Sequence, residues 1–497
     1  MAARYRLSAH ERDFFRLVER AALANPFTEE RLRVNKQLSG LSDEFSEVEQ
    51  NEVGVKTVRK RFKCLEEAGR DNFNHYVAQD QRLLKNATMF DFFHCFIEPF
   101  DRHILQQLEA GAKPIKVNFA PEAFAYLHRK GYTDEEKRRA FAMTFQIWRA
   151  YYFIVRNLAG RSAVMKKLRQ SLWNNVFTHS IDFYIQYLWS RMEDFSTIIV
   201  GETGTGKGTA AMAIGRSGYI PFDVKLGRFE ESFVQSFVTL NLSQFSEALI
   251  ESELFGHKKG AFTGAVDDHE GILQRCSRYG AIFLDEIGEV SYPIQIKLLK
   301  VLEERLYSPV GSHEIHRFDG RIIAATNRSV DGLLKKGLMR SDFYYRLCSD
   351  IITVAPLRDR IKADPRELDD LLNVIVGKIL GVEAPEVVDH LLGLMTEQPG
   401  INYDWPGNVR ELAQCVRGLI LNQRYKGLPA EGAGRSSPFV MDLDKGNIDA
   451  QTLLKRYCNS LYRRYGTYGE VARRTKLDRR TVKKYITDYN LSRRSRK

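Results

Sequence analysis

Apolar residues recur at helical spacing over positions 11–23, 55–67, 87–108 and 134–158, and strand-like alternation is scarce before residue 157. The spacing predicts a helical N-terminal region over residues 1–156. It does not suit a phospho-acceptor receiver domain, which alternates strands with helices and places an acidic residue at a strand end. Beyond residue 157 the pattern changes. Short apolar runs at 196–200, 280–284, 321–326 and 350–354, together with FVTLN at 237–241, read as strands separated by helical stretches. Five such strands predict a parallel α/β sandwich over residues 157–425, closed by a helical lid from about residue 360. Residues 426–449 are rich in Gly, Pro and Ser and read as a linker. Residues 450–465 are helical, and 467–484 fit a helix-turn-helix, giving a C-terminal domain over 450–497.

Polar residues at the ends of the apolar runs carry the candidate chemistry. The first run leads into Gly201-Glu202-Thr203-Gly204-Thr205-Gly206-Lys207 and then a helical stretch. A strand, a glycine loop ending in Gly-Lys and a helix form a phosphate cradle. Backbone N–H groups and the helix N-terminus face phosphate oxygens, and Lys207 neutralises charge on the β- and γ-phosphates. Gly208 stands where a magnesium-binding hydroxyl is usual, with Thr209 one place on. The run Gly280–Leu284 ends in Asp285 and Glu286: Asp285 reads as the magnesium-shell carboxylate, Glu286 as the group that orients the attacking water. Asn327 follows a strand end where a polar side chain senses the γ-phosphate. Between these signatures lies ESELFGHKKGAFTGA, residues 251–265. Its two glycines suit either a mobile tip that presents Phe262 and Thr263 or a tight turn with Phe262 buried.

Composition narrows the class. The 497 residues allow about three domains. There is no apolar run long enough to span a membrane and no apolar secretory segment near the N-terminus, so the expected location is cytoplasmic. Six scattered cysteines fit a reducing compartment rather than a disulfide framework or zinc site. The net charge is +12, and residues 455–497 hold 15 Lys and Arg against 3 Asp and Glu, so the excess sits in the tail. There Val471, Ala472, Leu477, Val482, Tyr485 and Ile486 form an inner face and Asp478 can cap the second helix. Arg479, Arg480, Thr481, Lys483 and Lys484 are left for base edges and phosphates of double-stranded DNA. Lys476 stands where the turn often has glycine. In the N-terminal region His94, Glu98, Asp101 and His103 hint at a metal site. Packed aromatic helix is the simpler reading, with Pro99 expected to break or kink it.

With these residues in view, positions 157–425 resemble the AAA+ domain of bacterial enhancer-binding proteins, the activators of sigma-54 RNA polymerase. GETGTGKG, ESELFGHKKGAFTGA, AIFLDEIGEV, QIKLLKVLEE, RIIAATNR, SDFYYRL and WPGNVREL occur in that family's order. Gly208 departs from it, because the family commonly has an acidic residue there. The resemblance implies ATP and Mg2+ as cofactors and Gly260, Ala261, Phe262, Thr263, Gly264 and Ala265 as the contact with sigma-54. It makes Asn241 a switch on Glu286, Arg340 and Arg346 arginine fingers reaching a neighbouring subunit, and Arg410 the lid arginine. It also implies a homo-oligomer, from dimer to hexameric ring, and a Fis-type DNA-binding domain at the C-terminus. A nucleotide-binding repressor and a remodeller of some other protein are the alternatives; the 260–265 loop argues against the first and the basic tail against the second. Between Gly160-Arg161-Ser162, where the domain starts, and the first strand, the aromatic segment 173–195 with His179 is longer than the family pattern. It reads as an added helix that docks the N-terminal region or a neighbouring subunit.

Overall fold

The computed structural model describes residues 4–400, 403–425, 427 and 449–494. The 426–449 linker lies outside them, apart from its ends at 427 and 449. Among the described residues the long helices before the first strand are α1 (Ala9–Leu23), α2 (Glu29–Ser39), α3 (Glu47–Glu67), α4 (Ala78–Ala110), α5 (Ala120–Lys130), α6 (Asp134–Asn157) and α7 (Ala163–Phe177). Capping boxes start α1, α3 and α6, where Ser8, Ser46 and Thr133 each accept from a backbone N–H three residues on and a glutamate returns the bond. Contrary to expectation, α4 runs through Pro99 without a break. Pro99 deprives the Cys95 carbonyl of its helical donor. The Arg59 guanidinium donates to the neighbouring His94 carbonyl at 2.5 Å, and Phe92, Phe96 and Phe100 are buried on either side. That burial outweighs a proline cost of about 3 kcal/mol.

The strands are β1 (Thr197–Val200), β2 (Phe222–Asp223), β3 (Arg228–Phe229), β4 (Phe237–Asn241), β5 (Ala281–Asp285), β6 (Leu306–Tyr307), β7 (His316–Arg317), β8 (Arg321–Thr326) and β9 (Asp350–Thr353). Five of them form a parallel sheet in the order β4-β5-β8-β1-β9, while β2-β3 and β6-β7 are small antiparallel ribbons. Successive side chains of a strand leave on opposite faces. Ile198, Ile282, Leu284, Ile322 and Ala324 therefore enter one core, and Ile199, Ala281, Phe283, Ile323 and Ala325 enter another. The second core is continuous with that of the N-terminal helices. Phe145 of α6 stacks on Phe229 of the β2-β3 ribbon at 4.2 Å, Phe141 meets Phe222 at 4.8 Å, and α6 packs along α9 (Lys207–Gly215), the helix after the glycine loop.

The long segment before β1 explains itself in this arrangement. Trp173 of α7 meets Phe27 and Phe177, and Asn25 donates to the Gln170 carbonyl at 3.2 Å. On its other side Asn175 binds Thr197, Asp350 and the buried Arg321. Thus α7 ties the helical region to the starts of three strands. A short helical segment, α8 (Ile181–Phe183), continues as a wider turn through Leu188. Met1–Tyr425 form one compact unit and Lys426–Lys497 a second. In the second, helices Ala450–Tyr465, Tyr468–Thr475 and Arg479–Arg494 close on Cys458, Val471, Val482 and Ile486. Among the described residues, no helix is long and apolar enough to cross a membrane.

Candidate nucleotide site and output loop

The C-terminal ends of the central strands converge on a cavity of about 690 Å3. β1 runs into the glycine loop, where Gly204 and Gly206 have φ of 80° and 103°. A side chain on Gly204 would come within 2.2 Å of the Gly407 carbonyl oxygen, and one on Gly201 within 2.5 Å of that of Val354. Glycine is thus demanded by the close approach of the lid as well as by the left-handed turn. Lys207, the first residue of α9, is buried, and its ammonium donates to the carbonyls of Gly201 at 2.9 Å and Glu202 at 3.1 Å. Burial pushes its pKa down, while Glu286 and Asp285 pull it back up.

Asp285 ends β5, and its carboxylate accepts from the Glu286 N–H at 3.1 Å. Glu286 has φ of 59°, a left-handed conformation that costs a non-glycine residue of the order of 1–3 kcal/mol and recurs at functional sites. Its carboxylate accepts from the Asn327 N–H at 3.2 Å, and the Asn327 side chain donates to Thr203 Oγ1 at 3.1 Å. Asn327 therefore links the Glu286 carboxylate to the glycine loop. Asn241 ends β4 and borders the same cavity; its side-chain oxygen accepts from the N–H and hydroxyl of Ser243. Gly208, Thr209 and Arg410 also line the cavity, and an adjoining recess of about 450 Å3 opens beside Gly208.

Sequence reasoning missed several residues that hold this site together. Arg358 makes a two-pronged ion pair with Glu202. The fully buried Asn408 donates to Glu202 at 3.2 Å and to the Thr203 carbonyl at 3.0 Å, and accepts from the Leu357 N–H at 2.7 Å. These contacts clamp the lid on the glycine loop. Asn408 lies inside WPGNVREL, where its position after Gly407 was the available clue. The wall formed by Asn157–Ala159 at the end of α6 had none, because a helix end carries no mark of what it faces. Arg340 and Arg346 do not line this cavity: Arg340 pairs with Asp342, and Arg346 donates to the Leu302 carbonyl at 3.0 Å.

The 260–265 segment closes on itself. The Gly260 N–H donates to the Ala265 carbonyl at 2.8 Å and the Ala265 N–H to that of Phe262 at 3.0 Å. Gly260 and Gly264 take φ of 80° and 102° with open space around them. Phe262 is half-buried edge-on against His257 at 4.9 Å, and Thr263 is exposed at the tip. The loop leans on the β6-β7 ribbon, where the Lys258 N–H donates to the Val310 carbonyl at 3.0 Å.

In the second unit the Asp478 carboxylate accepts from the N–H groups of Arg480 and Thr481 at 2.8 and 3.0 Å, capping the last helix. Arg479, Arg480, Lys483 and Lys484 are exposed, Thr481 is half-buried, and Lys476 makes the turn with φ of 56°. In the N-terminal helices His94 lies against Phe90 and Phe93, and His103 is buried against Phe145 and Phe229. Among the described residues, no group of three His, Cys, Asp or Glu side chains converges as metal ligands.

Residues 183–353 match the family model of the sigma-54 interaction domain. The Nif-specific regulatory protein of Azotobacter vinelandii is 41% identical over 229 residues, 46% of this chain and 40% of that protein. The regulatory protein AtoC of Escherichia coli is 34% identical over 257 residues, 50% of this chain and 51% of that protein. NtrC of Azospirillum brasilense is 38% identical over 241 residues, 47% of this chain and 45% of its own. The chain spans about half the length of these relatives, or less. The glycine loop, the paired carboxylates and the 260–265 loop thus all lie within the residues, 183–353, that match the sigma-54 interaction domain.

Proposed function

We propose that this protein is a cytoplasmic sigma-54-dependent transcriptional activator, which binds enhancer-like DNA and couples ATP hydrolysis to remodelling of sigma-54 RNA polymerase holoenzyme. The observation that carries the reading is the convergence of Lys207, Asp285, Glu286 and Asn327 on one cavity, in the domain that also holds the 260–265 loop. The residues fit a magnesium nucleotide: the left-handed glycines form a cradle that side chains would fill, and Asp285 and Thr209 border it as oxygen donors. Magnesium there would draw charge from the phosphates.

The chain's own residues do the rest. Lys207 exchanges its two carbonyl partners for phosphate oxygens. Glu286, held by Asn327, orients the attacking water, and Asn241 restrains it before nucleotide is seated. Arg340 and Arg346 serve the site of a neighbouring subunit, so hydrolysis requires assembly of the homo-oligomer, from dimer to hexameric ring; an arginine so placed is worth several powers of ten in rate in phosphoryl transfer. Arg410 contacts nucleotide from the lid of its own subunit. Asn327 touches both Glu286 and the glycine loop, so a change at the phosphates reaches the Glu286 carboxylate, and the reading requires that Asn241 pass it on to Phe262 and Thr263. Residues 467–484 act as a Fis-type helix-turn-helix, with Arg479, Arg480, Thr481, Lys483 and Lys484 on the DNA.

The test is ATP-dependent open-complex formation by sigma-54 holoenzyme on a promoter carrying the protein's DNA site. Thr263→Ala should abolish opening while ATPase activity persists. Normal opening by that variant would show that the exposed loop tip is not the output.

A further inference from the structure

A second cavity, of about 410 Å3, lies at the opposite ends of the strands from the nucleotide site. It opens where three parts of the chain meet. Gln146 comes from α6, Tyr184, Trp189 and Glu193 from the segment after α7, and Tyr219 and Tyr279 from loops of the sheet domain. Its size falls in the range of small-ligand sites, about 300–1,000 Å3, and its wall sets the rings of Tyr184, Trp189, Tyr219 and Tyr279 among aliphatic and polar groups. Trp189 and Tyr219 stand edge to face at 4.7 Å. Behind them a buried network holds the floor: Gln146 donates to the Tyr184 hydroxyl at 2.7 Å and to the Ser217 carbonyl at 2.9 Å.

The charges decide what such a cavity takes. Two guanidiniums border it, and both are engaged. Arg321 donates to Asn175, Thr197 and the Phe195 carbonyl, and Arg278 lies over the Tyr279 ring and pairs with Glu230. The Glu193 carboxylate is different: among the described residues no side chain pairs with it. Burial raises its pKa, and the nearby carboxylates of Asp194 and Asp319 add to the rise. A hydrogen bond from its own backbone and the charge of Arg305 offset this in part, but the Arg305 guanidinium donates to Asp194 and to main-chain carbonyls. A carboxylate that is repelled by its neighbours and faces aromatic rings is poorly matched to an anion and well matched to a cation, which the ring faces also attract.

We propose that this cavity is a ligand site separate from the nucleotide site, and that it takes a small organic cation: an ammonium or protonated ring nitrogen on an aromatic body. The nitrogen sits at Glu193 and the ring against Trp189 and Tyr219. The ligand would touch α6, the end of α9 at Ile214–Gly218 and the start of β5 at Gly280, so it bridges the helical region and the two elements that carry Lys207 and Asp285. The inference does not rest on the proposed activity, because it is read by binding alone.

Isothermal titration of the full-length protein with tryptamine at millimolar concentration should give saturable binding at one site per chain. Glu193→Gln should weaken it by about tenfold or more. Trp189→Leu should weaken it too, with an unchanged far-UV circular dichroism spectrum. Indole-3-propionate, which carries a carboxylate in place of the ammonium, should not bind. Absence of saturable tryptamine binding, equal affinity in Glu193→Gln, or equal binding of indole-3-propionate would each overturn the proposal.

Discussion

The two ends of the central sheet are built by opposite means. At the C-terminal ends of β1, β5 and β8 the chain leaves Lys207, Asp285, Glu286 and Asn327 around an open cavity, held by loops with left-handed backbone. At the N-terminal ends of the same strands it inserts large buried groups from elsewhere. Arg321 is sealed by Asn175, and Arg149 of α6 is fully buried, donates to the Gly218 carbonyl and lies 4.7 Å from the Phe145 ring centroid. Burial depresses the Arg149 pKa to about 9. One end keeps Lys207, Asp285 and Asn327 around an open cavity; the other spends Arg321 and Arg149 in joining a helical region to the sheet and leaves Glu193 at the edge of that joint. The difference teaches that residues 1–156 are part of the structural support of the sheet rather than an appendage.

Four measurements test this contrast. The largest effect is expected at the joint. Phe145→Ala removes a ring packed on Phe100 and Phe229 and should cost about 3–5 kcal/mol, lowering the urea midpoint of the whole first unit. A loss confined to the helical region, with the sheet unfolding at its usual midpoint, would show that the two do not depend on one shared core. At the open end the same scale of effect falls on rate and not on stability. Lys207→Ala should reduce ATP hydrolysis by about a hundredfold or more, with a smaller shift of the urea midpoint than Phe145→Ala gives.

The third measurement is a pH profile. Burial holds the His103 imidazole down to about 4, below its unfolded value, so the unfolded chain binds the proton first. The stability it contributes is complete above about pH 6.5 and is lost as pH falls toward 4, a change of the order of 2–3 kcal/mol. His103→Leu should flatten that part of the stability profile; an unchanged slope would assign the acid sensitivity elsewhere. The smallest effect is at the start of α6, where Thr133→Ala removes the cap of the helix that carries Gln146 and Arg149. It should cost about 1 kcal/mol, read by thermal unfolding, and leave ATP hydrolysis within twofold.

Legibility in the sequence followed the same division. That Lys207, Asp285 and Asn327 meet at one cavity was readable because a glycine loop and a polar residue at a strand end mark their places locally. The 260–265 segment was readable as a tight turn or a presented tip. The structure combines them, closing Gly260 on Ala265, half-burying Phe262 and leaving Thr263 out. Asn408 and Arg358 were missed because their roles depend on where the lid lands on Glu202. Pro99 was misjudged because local backbone cost is visible in sequence, whereas the burial of Phe96 and Phe100 that offsets it is not.

The sequence by itself determined the helical character of the first 156 residues, the five strands, the order of the nucleotide motifs and the basic, capped helices at the C-terminus. Each of these is set by periodicity or by backbone demands within a few residues. Only the tertiary structure decided that Ile198 and Ile199 belong to different cores, that one of those cores continues into α6, and that Tyr184, Trp189 and Glu193 enclose a cavity with Gln146. An apolar residue at the right period says that it will be buried. It does not say against what, because the hydrophobic effect has no direction, and the partner is settled by packing the whole chain at once.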